Sequence, residues 1–239
     1  TGKTHVLKPI PGTTRFLALE ETEQGDRRVW RVLEYDAATS ATPEIRYTHE
    51  GNTFECVADP SGTLRLVKRA DDSTQQIHWY AWDSASRQER KLEALPTWAK
   101  VHGVVSQSSE AVIAAHLNSQ YPSIYAFDIE ADAVKQTLAD NPMYSLQTYA
   151  ESVFDPKSGK LLGLHLNLLT RESRWSDPEF ARIQAALDAE LQGSSNRIVS
   201  WSEDKKHIIV KRYVPNFPIP FLYYNVESGA SKPLLLNGP

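Results

Sequence analysis

Alternating apolar and polar positions divide the chain into short strands that are joined by small polar turns. One pattern of four residues recurs. Its first and third residues are apolar or aromatic, and its fourth is an acid or an amide. Its four copies are Leu-Glu-Tyr-Asp at 33–36, Tyr-Ala-Trp-Asp at 80–83, Tyr-Ala-Phe-Asp at 125–128 and Leu-Tyr-Tyr-Asn at 222–225. Because Asp and Asn side chains bond nearby backbone amides, each copy predicts a strand that ends in a tight turn.

The copies are regularly spaced along the chain. Their last residues are separated by 47, 45 and 97 residues, so the final interval spans two periods and lacks one copy. A second series of turn residues has gaps of 47, 49, 47 and 49. Its members are Gly12, Asp59, Ser108, Asp155 and Asp204. Repeats of this length with two hairpins each are typical of propeller blades, so we predict an all-β, β-propeller-like fold of about five four-stranded units.

The spacing also sets the boundaries of the repeat units. The units are 9–50, 51–98, 99–145, 146–196 and 197–239, with 1–8 as a strand remnant in front. Residues 2–7 repeat the spacing of residues 229–234, so the remnant is assigned to the last strand of a preceding unit. We therefore expect a partial propeller cut from a longer chain, with a closed five-bladed propeller as the alternative.

The unit that lacks the aromatic-Asp pattern contains a helical period instead. Asp177 is suited to an N-cap, Pro178 to the first helical position and Gly193 to a stop. Apolar residues recur between them at intervals of three and four: Phe180, Ile183, Leu187 and Leu191. The pattern predicts a helix over 178–191 that interrupts one blade, as an insertion, a recognition element or a cover.

Composition and charge exclude several classes of function. The 239 residues include 26 basic and 30 acidic side chains, for a net charge of −4, which argues against non-specific binding to nucleic acid or to an anionic membrane. The single cysteine, Cys56, excludes an intrachain disulfide and a multi-cysteine zinc site. It lies in an apolar strand and is expected to be inert core. Six Trp and ten Tyr favour β-structure.

The C-terminal third carries a resemblance to a known family. Its residues are Val153-Phe154-Asp155-Pro156-Lys157-Ser158-Gly159, Trp175-Ser176-Asp177-Pro178, the helix end at 187–193, Asn196-Arg197-Ile198, the turn at 200–204 and Phe221-Leu222-Tyr223-Tyr224. This succession resembles the non-catalytic propeller of prolyl oligopeptidase-family serine peptidases, in the acylaminoacyl-peptidase and dipeptidyl-aminopeptidase-like branch. Gln192 departs from the pattern, since the family often has Pro there.

The resemblance implies a function for the parent protein. Family members join such a propeller to a C-terminal α/β-hydrolase domain with a Ser-Asp-His triad, and the propeller restricts the access of peptide substrates. The chain has no Gly-x-Ser-x-Gly nucleophile elbow, so we expect no catalytic, cofactor-binding or metal-binding residue in it. The expected partners are the hydrolase domain and peptides, with neither nucleic acid nor membrane. The compartment stays open between cytoplasm and periplasm.

Two other functional classes fit the repeat pattern. One is a stand-alone propeller that binds proteins, like the repeat domain of the translocation protein TolB. The other is a stand-alone propeller hydrolase or lyase, which would be active as this chain alone.

The remaining polar residues have no spacing that indicates a catalytic or metal site. The histidines are scattered and are expected to be hydrogen-bonded wall residues, as His116 and His165 are in their strands. The full set is His5, His49, His78, His102, His116, His165 and His207. The acid pairs Glu20-Glu21 and Asp71-Asp72 are expected to be solvated loop residues.

Aromatic residues divide into a repeating set and an isolated set. The repeating set is predicted to pack between blades: Tyr80, Trp82, Tyr125, Phe127, Tyr223 and Tyr224. Trp175, with Arg171 and Arg174 beside it, and Phe217, in a proline-rich loop, form a candidate contact surface for a partner domain or peptide. For Trp175, a structural cap over the helix is the alternative.

Overall fold

A computed structural model of the chain describes residues 3–25, 27–106, 108–117, 119–214 and 221–234. These residues form nineteen strands and two helices, arranged as five antiparallel sheets. The chain divides into two compact units. The first comprises Thr1–Thr148 with Phe154–Lys160, and the second comprises Tyr149–Val153 with Leu161–Pro239.

Three four-stranded sheets belong to the first unit, and each has its strands side by side in chain order. The first sheet contains β1 (Lys3–Pro9), β2 (Arg15–Gln24), β3 (Arg27–Asp36) and β4 (Glu44–Glu50). The second contains β5 (Thr53–Ala58), β6 (Leu64–Ala70), β7 (Ile77–Asp83) and β8 (Gln88–Lys91). The third contains β9 (Lys100–Val104), β10 (Glu110–Ala115), β11 (Ser123–Asp128) and β12 (Ala133–Ala139), and the short helix α1 (Leu146–Tyr149) comes after it.

The remaining two sheets differ in strand number. The fourth has three strands, β13 (Ala150–Phe154), β14 (Leu161–Asn167) and β15 (Arg171–Trp175), and helix α2 (Pro178–Glu190) comes next. The fifth again has four, β16 (Ser195–Trp201), β17 (His207–Tyr213), β18 (Phe221–Asn225) and β19 (Ser231–Leu234). The predicted repeat of antiparallel units is confirmed, and the unit with the helical insertion has three strands where four were expected.

The turns after the third strands form as the repeated acids predict. Strands β3, β7, β11 and β18 end at Asp36, Asp83, Asp128 and Asn225. The Oδ1 atom of Asp128 accepts the backbone N–H groups of Glu130 at 2.9 Å and Ala131 at 3.1 Å. Asn225 makes the same pair of bonds, two and three residues ahead. Each side chain thus satisfies backbone donors that the turn would otherwise leave unpaired, and the chain reverses into the fourth strand.

Helix α2 lies where the change of period predicts it. Asp177 is its N-cap, and its Oδ1 accepts the N–H groups of Glu179 at 3.1 Å and Phe180 at 3.3 Å. Phe180, Ile183 and Leu187 are buried on one face of the helix. They pack against apolar side chains of the fifth sheet, including Ile198, Ile208, Val210 and Leu222. Burial of this stripe, rather than intrinsic propensity, holds a helix of this length.

Apolar and aromatic side chains fill the spaces between neighbouring sheets of the first unit. Tyr47 of the first sheet meets Trp82 of the second edge-on, with ring centroids 5.1 Å apart. Trp79 of the second sheet and Tyr125 and Phe127 of the third are buried in one cluster. The prediction that repeat-position aromatics pack between sheets is confirmed for Trp82, Tyr125 and Phe127.

An ion pair within the second sheet accepts a hydrogen bond from the first sheet beside this apolar core. Arg69 is 8 % exposed and donates to Glu89 from Nε at 3.0 Å and from Nη2 at 2.5 Å. The Tyr47 hydroxyl donates to the same carboxylate at 2.6 Å, and the Arg69 guanidinium lies 4.1 Å from the centroid of the Tyr80 ring. The Glu89 carboxylate accepts from the guanidinium and from the hydroxyl, and Arg69 Nη1 donates to the Ala70 carbonyl at 2.8 Å, so hydrogen bonds compensate the burial of the pair.

The assignment of residues 1–8 to a preceding unit is wrong. β1 pairs with β2 from Lys3–Glu21 to Pro9–Phe16 and is the first strand of the first sheet. The connection is a tight hairpin, in which the Ile10 N–H bonds to the Arg15 carbonyl at 2.9 Å and Gly12 has φ +74°. A short connection makes consecutive strands antiparallel neighbours, and this local effect outweighs the spacing similarity to residues 229–234. Within the described part of the chain, neither helix has the length and apolar character needed to cross a bilayer.

Gly159 provides a test of how tightly the turns of the first unit pack. It has φ +68°, and a Cβ there would lie 2.5 Å from both Pro60 Cγ and Ser106 Cβ. Gly12 has φ +74°, and a Cβ there would meet no atom within 4 Å. Alanine at either position suffers the left-handed backbone penalty of about 1 kcal/mol, but only at Gly159 is a clash of about 1–3 kcal/mol added.

We therefore expect Gly159→Ala to lower the free energy of unfolding well beyond the loss seen with Gly12→Ala. Urea denaturation followed by tryptophan fluorescence measures both. Equal losses for the two variants would show that the turn can move away from its neighbours at no cost.

Candidate functional site

Trp175 is packed inside the second unit, at the end of β15. Its ring stacks on Phe180, with centroids 5.0 Å apart and planes 22° apart, and meets His165 edge-on at 5.3 Å. Its indole Nε1 donates to Gln184 Oε1 at 3.3 Å. Trp175 therefore covers the start of α2. This placement fits the alternative prediction for Trp175, a structural cap over the helix.

The two arginines of the candidate surface lie on the same strand and are exposed. The Arg171 guanidinium lies 3.9 Å from the centroid of the Tyr213 ring. Arg174 points to the opposite face of β15, since side chains alternate along a strand, and pairs with Glu172 at 2.7 Å. The structure thus brings Arg171, Arg174 and Trp175 onto one strand but not onto one face. Phe217 lies outside the described residues.

A cleft of about 780 Å³ opens beside the first half of β15. Its lining includes Arg171 and Glu172 of β15, Tyr213 of β17, and polar residues of α2 and β16 that we call the floor. The volume is in the range of pockets that hold small molecules or peptide side chains. This cleft is the candidate functional site of the second unit.

The floor of the cleft is a closed polar network. Asp188 accepts hydrogen bonds from Gln184 Nε2 at 3.1 Å and from Asn196 Nδ2 at 2.9 Å. Gln184 Nε2 also donates to the Asn196 carbonyl at 2.8 Å, which ties α2 to the start of β16. Ser194 and Ser195 donate to backbone carbonyls of Leu191 and Arg171, each at 2.6 Å, so neither hydroxyl is bonded to a base. The arrangement is suited to binding rather than to nucleophilic catalysis.

The residues of this floor were not among those predicted from the sequence. Gln184 and Asp188 are four apart on α2, and Gln184 lies four residues after Phe180, on the buried side of the helix. A polar residue within an apolar stripe, paired at i,i+4 with an acid, is a signal that could have indicated a buried polar contact. No local pattern indicates that Asn196 is their partner, since it comes from a separate strand.

His165 is a buried wall residue, as its strand pattern predicts. Its Nε2 lies 3.1 Å from the Ile198 carbonyl, which only accepts, so the ring proton is on Nε2 and Nδ1 accepts from Ser173 Oγ at 2.8 Å. Burial, with a smaller effect of the Arg197 guanidinium, lowers the pKa of His165 to about 4. The neutral ring is therefore part of the fold.

The other predictions for polar residues have mixed outcomes. The prediction for His116 is wrong, because it is exposed just after β10 and contacts Trp98 edge-on at 6.3 Å. Glu20 and Glu21 are not loop residues either: they lie in β2, where Arg31 pairs with Glu20 at 3.3 Å. Asp71 is a turn residue as expected, although half-buried, and accepts the Ser73 N–H at 2.9 Å.

Two further predictions concern the reactivity of Cys56 and the binding of a metal ion. Burial raises the pKa of the Cys56 thiol to about 12, which keeps it protonated and unreactive near neutral pH. Among the described residues, no group of three or more His, Cys, Asp or Glu side chains is placed to hold a metal ion.

Comparisons with known proteins give a fold but no family. No family model matches the sequence, and no curated protein sequence matches it. The β-propeller domain of the Trilobed protease from Pyrococcus furiosus, described as having an open velcro topology, aligns with a TM-score of 0.52 at 10 % identity, over 98 % of this chain and 72 % of that one. This chain therefore has a β-propeller-like fold, as the repeat predicted.

Two TolB structures align more loosely. TolB from Acinetobacter baumannii has a TM-score of 0.36 at 13 % identity, over 91 % of this chain and 40 % of that one. A TolB candidate from Agrobacterium tumefaciens has a TM-score of 0.44 at 13 % identity, over 98 % of this chain and 80 % of that one. This chain thus spans less than half the length of the Acinetobacter protein.

The lowered pKa of His165 predicts a pH dependence of stability. In the unfolded chain, His165 has the ordinary pKa of 6.5 and binds a proton as the pH falls below that value. In the folded chain, the ring stays neutral until the pH nears 4. This group's contribution to the free energy of unfolding is therefore complete above pH 6.5, falls between pH 6.5 and 4, and levels off below, a loss of about 3 kcal/mol.

We expect His165→Gln to show a shallower fall between pH 6.5 and 4 than the unchanged protein does. Urea unfolding at several pH values measures the slopes, and His5→Gln, an exposed residue of β1, serves as the control with an unaltered slope. The prediction fails if both variants and the unchanged protein lose stability in parallel.

Proposed function

We propose that this chain is a non-catalytic β-propeller domain of a prolyl oligopeptidase-family serine peptidase, where it restricts the access of peptides to a C-terminal α/β-hydrolase domain. The observation that carries the proposal is the succession of motifs over residues 153–236 on a propeller-like scaffold. The fold similarity to the propeller domain of a Pyrococcus protease supports it. The Gly-x-Ser-x-Gly elbow that the chemistry requires is not in the 239 residues.

The interactions of the described polar clusters fit a scaffold role. The Arg69–Glu89 pair, His165 and the Gln184–Asp188 network all hold strands or a helix in place. A domain that excludes large substrates by its shape depends on a stable fold rather than on single reactive side chains. Substitutions in the domain are therefore expected to change stability or access rather than the chemical step.

The isolated chain is expected to hydrolyse neither p-nitroanilide nor ester substrates. Rates are compared with buffer alone and with the longer gene product. The coding sequence after Pro239 is expected to contain a Gly-x-Ser-x-Gly elbow within about 120 residues. A stop codon close to that position, or hydrolysis by the chain alone, would overturn the proposal in favour of a TolB-like interaction scaffold or a propeller hydrolase.

Access is tested with peptides of increasing length on the full-length protein. Short p-nitroanilide peptides are expected to be cleaved efficiently, and kcat/KM is expected to fall at least about tenfold for a folded protein that carries the same cleavage sequence. The same protein substrate, unfolded and cut into short fragments beforehand, is the control and should be cleaved. Equal cleavage of short and folded substrates would contradict a gating role.

A further inference from the structure

Strand β15 is the last strand of its three-stranded sheet, and among the described residues no further strand pairs with its outer edge. β14 and β15 pair from Gly163–Trp175 to Asn167–Arg171, and the Ser176 N–H bonds to the Leu162 carbonyl at 2.8 Å. Bonded and non-bonded pairs alternate in an antiparallel ladder. The backbone groups of Glu172 and Arg174 therefore point to β14, and those of Arg171, Ser173 and Trp175 point away from it.

The first half of β15 borders the open cleft, whose lining includes Arg171, Glu172 and Ser173. Arg171, Glu172 and Arg174 have exposed side chains. Among the described residues, the bond that reaches this edge is the one from Ser195 Oγ to the Arg171 carbonyl, at 2.6 Å. A carbonyl oxygen has a second lone pair, so this bond leaves room for another donor. An exposed edge of this kind is a template for pairing with a further strand.

The last strands of three of the four other sheets carry features that oppose such pairing. β19 contains Pro233, which lacks a backbone donor. On β8, Glu89 is held by Arg69, and Arg90 donates to the Ile129 carbonyl at 2.5 Å. In β4, a symmetric antiparallel pair of strands centred on its middle residue, Tyr47, would place Glu44 against Glu50 of the other copy.

The sequence of β15 has the opposite property, because it is complementary to itself. It reads Arg-Glu-Ser-Arg-Trp, with Ser173 at its centre. In an antiparallel pair of two such strands, Ser173 faces Ser173, Glu172 faces Arg174 of the other copy, and Arg171 faces Trp175 of the other copy. In an antiparallel ladder, residues whose backbone groups point toward the other strand must lie opposite one another. This register fulfils that condition, because it pairs Arg171 with Trp175 and Ser173 with Ser173.

We propose that two copies of this chain associate through β15, which joins two three-stranded sheets into one six-stranded sheet about a two-fold axis. The oppositely charged side chains of Glu172 and Arg174 then lie at the close, non-hydrogen-bonded positions, where such pairs are most favourable. This inference goes beyond the proposed function and does not depend on it.

The contact is short, which determines its strength. β15 has five residues, and α2 begins at Pro178, three residues after its end. Pairing over five residues buries less surface than the roughly 1,200 Å² of a standard stable interface. The association is therefore weak and concentration-dependent, with a dissociation constant of about 100 µM.

The 239-residue chain is tested by sedimentation velocity from about 5 to 500 µM. We expect monomer at the low end and a growing dimer fraction at the high end. Amide hydrogen exchange at Ser173 and Trp175 is expected to slow as the concentration rises. Monomer throughout the range, or a dimer without slower exchange at these amides, would overturn the proposal.

Charge variants test the register. Glu172→Arg and Arg174→Glu each place like charges opposite one another, so each is expected to raise the dissociation constant about tenfold or more. The double variant Glu172→Arg/Arg174→Glu is expected to restore association, because the charges are again complementary.

A mixture of the two single variants provides the sharpest result. The Glu172→Arg chain presents two arginines and the Arg174→Glu chain two glutamates, so the mixture is expected to form heterodimers although neither variant dimerises alone. Arg182→Glu, on an exposed position of α2, makes the same charge change as Arg174→Glu and is expected to leave association unchanged. Failure of both the double variant and the mixture to associate would show that the dimer uses another surface.

Discussion

One hydrogen-bond arrangement determines the path of the chain after the third strand in several repeats of this protein. In it, a side-chain oxygen accepts the backbone N–H groups two and three residues ahead. Asp128 and Asn225 make these bonds, and the chain then reverses into a fourth strand. Asp177 makes the same two bonds after β15, but there the chain enters a helix. The same local interaction thus serves as a hairpin turn in some repeats and as an N-cap in another.

The residues after the acid decide between the two outcomes. Pro178 fixes a helical φ at the first position and removes a donor that the helix would leave unpaired. The apolar residues that come next, at three- and four-residue intervals, have a face of the fifth sheet to cover. The consequence is that, in the described part of the chain, β15 has no fourth strand beside it. A polar cleft and an open backbone edge lie where the other sheets have a further strand.

Much of the fold could be predicted from the sequence, because its signals are local. The strand ends at Asp36, Asp83, Asp128 and Asn225 and the helix after Asp177 follow from turn chemistry and from period. Spacing and neighbours in sequence mislead where pairing or packing between segments decides. The spacing of residues 1–8 matches that of a distant segment, although the hairpin at Gly12 pairs their strand, β1, with β2. For Trp175 the sequence leaves a contact surface and a cap over the helix open, and the packing of its ring against Phe180 and His165 fits the cap.

The sequence by itself determined where strands and turns alternate and where the period changes to helical, since each of these depends on residues close together in the sequence. The tertiary structure alone decided which polar groups meet. The Asp188–Asn196 contact, the neutral His165 between Ser173 and Ile198, and the open edge of β15 arise between separate elements. Partners across a fold depend on packing, and packing distances are not encoded in any local pattern.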